Sequence, residues 1–199
     1  VIEFVTVAAE FCAFLERAES MKRSTFVDTT LKILPLLYLK ASMLPKCEMI
    51  GDESPETYVT EEIYEVLRIN LASILAEKDD YLEVFLPDMA YSDEPIKKNI
   101  SEDLADIYQD IKDFIFVFQL GLNETMNDSL AICQENFGLL WGQKLVNTMR
   151  ALHDVKYSSK ARGEDEEEEE YEPENNEDCH CEDDDCHCHD HGCHCHDDE

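Results

Sequence analysis

The chain has 199 residues, of which 47 are Asp or Glu and 16 are Lys or Arg, so its formal charge at pH 7 is −31. This charge excludes binding to nucleic acid or to an anionic membrane surface through overall charge, because the phosphates of both would be repelled. Residues 164–199 hold 19 acids and no Lys or Arg, together with six of the nine Cys and six of the seven His. The preceding 163 residues, here called the body, suit a single domain.

No segment is predicted to span a membrane or to direct secretion. The first 20 residues lack a basic start, and Glu3 and Glu10 interrupt their apolar run, so a signal peptide is not indicated. The strongest internal apolar run, residues 33–39, is far shorter than a membrane span. The cysteines of the body are scattered and are predicted to be small, mostly buried hydrophobic residues in a reducing compartment: Cys12, Cys47 and Cys133. We therefore expect a cytoplasmic protein.

Two amphipathic helices are predicted at the start of the body, from apolar residues that recur at spacings of three and four. The first stripe is Phe4, Val7, Ala8, Phe11, Leu15 and Ala18. The second stripe is Val27, Leu31, Leu34, Tyr38 and Ala41. Thr25 followed by Asp28 resembles an acidic capping box, which predicts that the second helix begins there. Pro35 is expected to kink this helix, because proline lacks an N–H and crowds the preceding turn.

A loop marked by Pro45 and Gly51 leads to a third helix, for which Thr60 is the predicted N-cap. The buried face of this helix is predicted to be Ile63, Leu67, Leu71, Ile74 and Leu75. Residues 79–100 contain two prolines and show mixed periodicity. We expect a connection there, with one short helix around residues 81–85.

The rest of the body predicts a fourth helix and a long final pattern. Ser101 is the expected N-cap of the fourth helix, and Gly121 is its expected stop. Its apolar stripe is Leu104, Ile107, Tyr108, Ile111, Phe114, Ile115 and Phe118. The final pattern is Met126, Leu130, Cys133, Phe137, Trp141, Leu145, Thr148 and Leu152. It forms either one long helix or a helix that bends near residues 136–138, and we interpret Gly138 and Gly142 as places where a neighbouring helix approaches closely.

No alternation typical of a β-strand persists, so the predicted fold is all-α, a bundle of about five to six helices with mostly antiparallel neighbours. The stretches that carry a family resemblance are LKILPLLYLKASMLP, EKDDYLEVF, ISEDLADIYQDIKDFI and NFGLLWGQKLVNTMRALH. They resemble an uncharacterised bacterial family, the domain of unknown function numbered 5063, over most of residues 1–155. The resemblance implies an all-helical domain and no particular activity, and it does not extend to the tail.

Residues 156–178 are predicted to separate a helical domain at 1–155 from a tail at 179–199. Lys156, Lys160 and Arg162 form a basic hinge, and the following EDEEEEEYEPENNED is an acidic spacer whose charges repel each other. Such a charge run is typical of a solvated, disordered segment, and the tail has no aliphatic residue from which to build a core.

The tail is a threefold repeat of seven residues, CHCEDDD, CHCHDHG and CHCHDDE, without the apolar positions that a coiled coil needs. The repeated residues are candidate metal ligands: Cys179, His180, Cys181, Cys186, His187, Cys188, His189, His191, Cys193, His194, Cys195 and His196. Thiolate and imidazole suit Zn²⁺, the first candidate, and also Ni²⁺ or Cu⁺, and twelve donors suffice for three tetrahedral ions. The close Cys-x-Cys spacing does not match a zinc finger, so we expect a flexible chelator, similar in composition to metallothioneins and to the tails of nickel-handling prolyl isomerases.

The acids around these ligands should raise the local concentration of cations and disfavour thiolates in the metal-free tail. Metal must then displace protons, so affinity should fall steeply as the pH falls. Two alternatives stay open. In the first alternative, the tail is only an acidic segment that keeps the protein soluble. In the second, its thiols form disulfides in a redox role.

The body shows one weak pattern of catalytic type. Glu61, Glu62 and Glu65 form an EExxE string, and Asp103 and Asp106 form a DxxD string. All-α nucleotide pyrophosphatases bind Mg²⁺ with similar strings, since spacings of three and four place carboxylates on one helix face.

Simpler interpretations cover the same residues. The stripe Asp103, Asp106, Asp110 and Asp113 is explained by a solvated polar face. The single His of the body, His153, is expected near the end of the last helix, in a capping or partly buried role.

Two functions from different classes follow. In the first, a non-enzymatic helical body docks an unidentified protein, and the tail binds or buffers soft metal ions. In the second, the body is a Mg²⁺-dependent hydrolase of nucleotides. Neither function involves nucleic acid or a membrane as a partner.

Overall fold

The computed structural model describes residues 1–83 and 96–162, with side chains as far as residue 158. The α-helices of these residues are α1 (Ile2–Glu16), α2 (Arg23–Ser42), α3 (Glu61–Leu75), α4 (Ile100–Leu120), α5 (Asn123–Asn136) and α6 (Gly142–Arg162). Short 3-10 turns occupy Ala18–Ser20 and Ala76–Lys78, and a π-turn at Phe137–Trp141 joins α5 to α6. The predicted helical bundle is confirmed for this part of the chain, whereas the predicted tail lies outside it.

Helix α4 is central, because it contacts α1, α3, α5 and α6. Its apolar stripe is buried as predicted, and Leu104, Ile107 and Ile111 have no exposed surface. Each such side chain contributes roughly 2 kcal/mol by leaving water. The stripes predicted for α1 and α3 also supply core residues, which include Phe4, Ala8, Phe11, Leu15, Leu67, Leu71 and Leu75.

Helix α2 differs from its prediction at its start and on one side. It begins at Arg23 with no side-chain cap, so the predicted capping box at Thr25 is wrong. The partner expected for that box, Asp28, instead accepts hydrogen bonds from Lys32 and Lys156. Tyr38 is 40% exposed rather than buried, and Leu37 takes the core position beside it.

The largest difference lies in residues 79–100, where the predicted short helix is replaced by strands. Strand β1 (Asp80–Glu83) pairs antiparallel with β2 (Ile96–Asn99). Neither sequence, DYLE or IKKN, alternates apolar and polar residues, so the strands carry no signal that a sequence pattern could reveal.

The predicted capping role of Ser101 is also wrong. Helix α4 begins at Ile100, and the buried carboxylate of Asp79 accepts both the Ser101 N–H and the Ser101 hydroxyl at 2.7 Å. The Asp79 side chain therefore links the start of the hairpin formed by β1 and β2 to the first turn of α4. Two other helix-end predictions are confirmed. The Thr60 hydroxyl accepts the Ile63 N–H at 3.3 Å, and Gly121 ends α4 with a φ of 73°.

The final pattern is helical throughout, with α5, the π-turn and α6 in direct succession. The π-turn begins at Phe137, within the residues where a bend was the predicted alternative to one long helix. Our interpretation of the two glycines is wrong, because the close contact lies within the turn itself. A Cβ on Gly142 would lie 2.3 Å from the Phe137 carbonyl oxygen, whereas a Cβ on Gly138 would meet nothing within 4 Å. The wider π-turn brings the Phe137 carbonyl against Gly142, which therefore must lack a side chain.

We predict opposite effects for the two glycines. Gly142→Ala should lower the free energy of unfolding by about 2 kcal/mol or more, because the turn must shift away from the new methyl group. Gly138→Ala should raise it by about 0.5–1 kcal/mol, because alanine favours helical backbone and has room there. Urea unfolding followed by the fluorescence of the single tryptophan measures both. Similar losses in the two variants would contradict the π-turn geometry.

Candidate functional site

The twelve predicted metal ligands of the tail lie outside the described residues. Within residues 1–83 and 96–158, no three His, Cys, Asp or Glu side chains are grouped so that they could hold a metal ion. Cys12 and Cys133 are buried, as predicted. Burial raises the pKa of the Cys12 thiol to about 12 and that of Cys133 further, so neither forms a thiolate at neutral pH. Cys12 and Cys133 thus differ from the cysteines of the tail, which are expected to bind metal ions as thiolates.

The acidic stripe of α4 is not the solvated face that we predicted. Asp103 is 3% exposed and accepts a hydrogen bond from the Tyr81 hydroxyl of β1. Asp106 accepts the Tyr64 hydroxyl of α3 at 2.8 Å and also pairs with Lys144 of α6. These two carboxylates therefore connect α4 to three other elements.

The same stripe continues toward the other end of α4. Asp110 accepts the side-chain N–H of Asn136 at 2.6 Å, at the end of α5. Asp113 accepts the backbone N–H groups of Tyr58 and Val59 at 2.7 and 2.8 Å and so holds the segment before α3. Because α4 is central, its polar side also meets neighbouring elements: Asp103 is buried, and Asp106, Asp110 and Asp113 are half-buried. We call this line of four aspartates the α4 polar seam.

Burial shifts the ionisation of Asp103, Asp110 and Asp113. It raises the pKa of Asp103 to about 6, although the Tyr81 hydroxyl, Lys144 and Lys98 act in the opposite direction. Burial also raises the pKa of Asp110 and that of Asp113. The pKa of the Tyr81 hydroxyl is raised as well, first by burial and then by its bond to Asp103, so it stays a hydrogen-bond donor at neutral pH.

Further polar residues at this site were not found from the sequence. Asn147 of α6 donates to both carboxylate oxygens of the buried Glu83, at 3.0 and 3.1 Å. Arg150, one turn further, donates to the Leu82 carbonyl oxygen at 2.8 Å. The signal available in the sequence was the spacing of Lys144, Asn147 and Arg150 by three, on a side of the final pattern that carries no apolar stripe.

The five carboxylates of the hydrolase hypothesis do not form a shared site for a cation. Glu61 and Glu62 are exposed at the start of α3, and Glu65 pairs with Arg68 at 2.7 Å. Asp103 and Asp106 are engaged by tyrosine hydroxyls and by the Lys144 ammonium group. An ammonium group occupies the position beside Asp106 where a hard cation would be needed, so the arrangement gives this hypothesis no support.

A groove of about 570 Å³ lies between α2 and α6, on a part of the surface that the sequence analysis did not single out. It is lined by apolar residues of both helices, by Lys32, Arg150 and Lys156, and by His153. His153 is exposed and lies well before the end of α6, and its ring contacts that of Tyr157 at a tilt, with centroids 4.5 Å apart. Its predicted capping or partly buried role is therefore wrong.

The family model described as a domain of unknown function, DUF5063, matches residues 1–158. The chain belongs to the DUF5063 family. The family resemblance of the body is thereby confirmed, and residues 159–199 lie beyond the match. No curated protein matches the chain.

A solved structure is similar to this DUF5063 chain over the body. It is the crystal structure of protein BF1032 from Bacteroides fragilis, a target of the Northeast Structural Genomics Consortium. The two are 92% identical, the match covers 81% of this chain and 95% of the other, and the TM-score is 0.73. Neither the family description nor this relative assigns an activity to the DUF5063 domain.

In the described part of this DUF5063 chain, no helix is both long enough and apolar enough to cross a membrane. Helix α6 continues to Arg162, so the basic residues that follow Tyr157 lie on a helix.

Proposed function

We propose that this DUF5063 protein is a non-enzymatic, cytoplasmic docking module whose tail binds or buffers soft transition metal ions. The observation that carries the proposal is the threefold repeat of Cys-His-Cys after residue 178. Zn²⁺ is the first candidate, and Ni²⁺ and Cu⁺ are the alternatives, since all three accept thiolate and imidazole donors.

The non-enzymatic part of the proposal is supported by the α4 polar seam. Its four carboxylates each accept hydrogen bonds from a neighbouring element of the same chain. Polar groups with this arrangement hold a scaffold together.

The metal part is supported by the donor set and by its surroundings. The tail contains no aliphatic residue that could pack and hold a site ready for metal. The tail must therefore become ordered when metal binds, and this cost should make the bound ion exchange readily. A reducing cytoplasm keeps the six tail thiols available. The acids of the tail offset the charge of the incoming cations.

Metal titration of the full-length chain tests this proposal. Zn²⁺ is added in competition with a chromophoric chelator, and parallel titrations use Ni²⁺ and Cu⁺ under reducing conditions. We expect about three Zn²⁺ per chain. Affinity should fall by at least about tenfold per pH unit below neutrality, because thiol protons must leave.

Three matched chains locate the metal. A chain ending at Gly163 and a full-length chain with all six tail cysteines changed to serine should each lose tight Zn²⁺ binding. Cys47→Ser, which removes a half-buried thiol of the body, should leave the stoichiometry unchanged. Equal stoichiometry in the full-length and shortened chains would contradict the proposal and favour an acidic solubility segment.

A further inference from the structure

The groove between α2 and α6 has the features of a binding site for a helix. The two helices contact each other and run antiparallel. Asp28 of α2 pairs with Lys156 of α6, and further along α2, Tyr38 meets Phe137 of the π-turn that precedes α6. The Tyr38 and Phe137 rings have centroids 5.2 Å apart. A surface formed by two antiparallel helices offers a third helix the same kind of seat that helices use within bundles.

The floor of the groove is apolar. Leu31 of α2 and Met149 of α6 are partly buried against the core, and Val146 beside them is 44% exposed. Side chains spaced by three and four on a bound helix could fill such a floor, and methionine adapts to the shape of its partner.

The rim of the groove is positive, although the protein as a whole is strongly negative. Lys32, Arg150 and Lys156 line it, and Asp28 is the one carboxylate among the described residues that do so. Lys32 pairs with Asp28, but its side chain is 72% exposed, so a carboxylate of a partner can approach it from the solvent side. His153 and Tyr157 also line the groove, and their rings contact each other at a tilt of 44°.

We propose that this groove binds an acidic amphipathic helix of a partner protein, with apolar side chains on the floor and Asp or Glu against the three cations. This inference rests on the docking part of the proposed function and is independent of the metal part. The repulsion expected from the net charge acts weakly here, because charges separated by more than about 8 Å are screened at physiological salt.

Charge and shape favour this occupant over two others. A free phosphate or similar anion would leave the apolar floor unused and would lie close to the Asp28 carboxylate. A second copy docked groove to groove would bring the same three cations together at short range, which opposes self-association through this surface.

The test uses a fluorescent synthetic helical peptide of about 16 residues, long enough to span roughly four turns. Leucines at helical spacing form one face, and glutamates flank it. A second peptide carries Lys in place of each Glu, and a third carries Ser in place of each Leu. Binding to the full-length chain is followed by fluorescence anisotropy with a metal chelator and a reductant present, so the result does not depend on metal in the tail.

Matched variants locate the binding surface. Val146→Asp and Lys32→Glu should each weaken binding of the Leu–Glu peptide by at least about tenfold, through the floor and the rim respectively. Their controls are Ile69→Asp, at a 55% exposed apolar position of α3, and Lys97→Glu, at a lysine of β2 that pairs with Asp80 as Lys32 pairs with Asp28. The controls should leave the affinity within about twofold, and thermal unfolding verifies that each variant is folded.

The expected result is micromolar binding of the Leu–Glu peptide, with at least tenfold weaker binding of the other two peptides. A photoreactive group at the centre of the Leu–Glu peptide should label Met149 or its neighbours. No binding at millimolar peptide, equal binding of the Lys or Ser peptide, or labelling on α3 would overturn the proposal. Displacement by inorganic phosphate would indicate an anion site instead, and dimerisation that Val146→Asp abolishes would indicate a second copy. Either of these results would also overturn it.

Discussion

Trp141→Ala is expected to lower the free energy of unfolding by about 4 kcal/mol, a large share of the roughly 5–15 kcal/mol that is typical of a folded domain. Trp141 has no exposed surface and lies at the end of the π-turn, with its ring centroid 4.7 Å from that of Phe137. Its indole N–H donates to the Cys133 carbonyl oxygen at 3.1 Å. The substitution therefore leaves a cavity and removes a hydrogen bond that links the π-turn back to α5.

Leu139→Ala is the matched control, because Leu139 lies in the same turn but is 71% exposed. It should change the free energy of unfolding by no more than about 0.5 kcal/mol. Far-ultraviolet circular dichroism in urea measures both variants, since Trp141→Ala removes the fluorescent residue. Equal stability of the two variants would show that the π-turn does not depend on its tryptophan.

Asp103→Asn is expected to stabilise the protein at neutral pH, by about 1–2 kcal/mol. Burial raises the pKa of Asp103 to about 6, so the folded chain binds this proton more tightly than the unfolded chain, in which the pKa is near 3.8. The stability that protonated Asp103 provides is complete below pH 3.8 and is lost as the pH rises through about 6. Asparagine is neutral at every pH, and its side-chain oxygen can still accept the Tyr81 hydroxyl.

Urea unfolding between about pH 4 and pH 8 tests this expectation. The gain from Asp103→Asn should be near zero at pH 4 and largest above pH 7. A gain that is independent of pH would contradict a raised pKa.

Asp28→Asn is the comparison variant, for which the expected change in stability at neutral pH has the opposite sign. Hydrogen bonds from Lys156 and then from Lys32 lower the pKa of Asp28 to about 2, so its carboxylate stabilises the fold above pH 3.8 and ceases to do so as the pH falls through about 2. This variant should lose stability at neutral pH. A gain like that of Asp103→Asn would show that the two aspartates do not differ in environment.

The α4 polar seam shows why the site was only partly predictable. The spacing of Asp103, Asp106, Asp110 and Asp113 correctly places them on one side of a helix. It does not indicate whether that side meets water or protein. The answer came from the partners, Tyr81, Tyr64, Asn136 and the backbone before α3, which lie between 22 and 55 residues away. Sequence spacing contains no information about contacts of such range.

The hairpin and the π-turn were missed for related reasons. β1 and β2 have four residues each and take their stability from Asp79, Glu83 and the start of α4, which are tertiary contacts. The role of Gly142 depends on a local backbone that departs from 3.6 residues per turn. A stripe assigned with that period cannot reveal the departure.

By itself, the sequence determined the helical class, most of the core stripes, the family and the ligand chemistry proposed for the tail. Helical periodicity and donor type are local properties, so neighbouring residues are enough to define them. Only the tertiary structure decided that the aspartates of the seam bond to neighbouring elements, that a hairpin replaces a helix, and that α2 and α6 form a groove with a positive rim in a negative protein. These features depend on which distant side chains the packed helices bring together. A carboxylate that is covered by its neighbours holds the fold together, whereas the same residue type in water does not, and residue type alone does not distinguish the two cases.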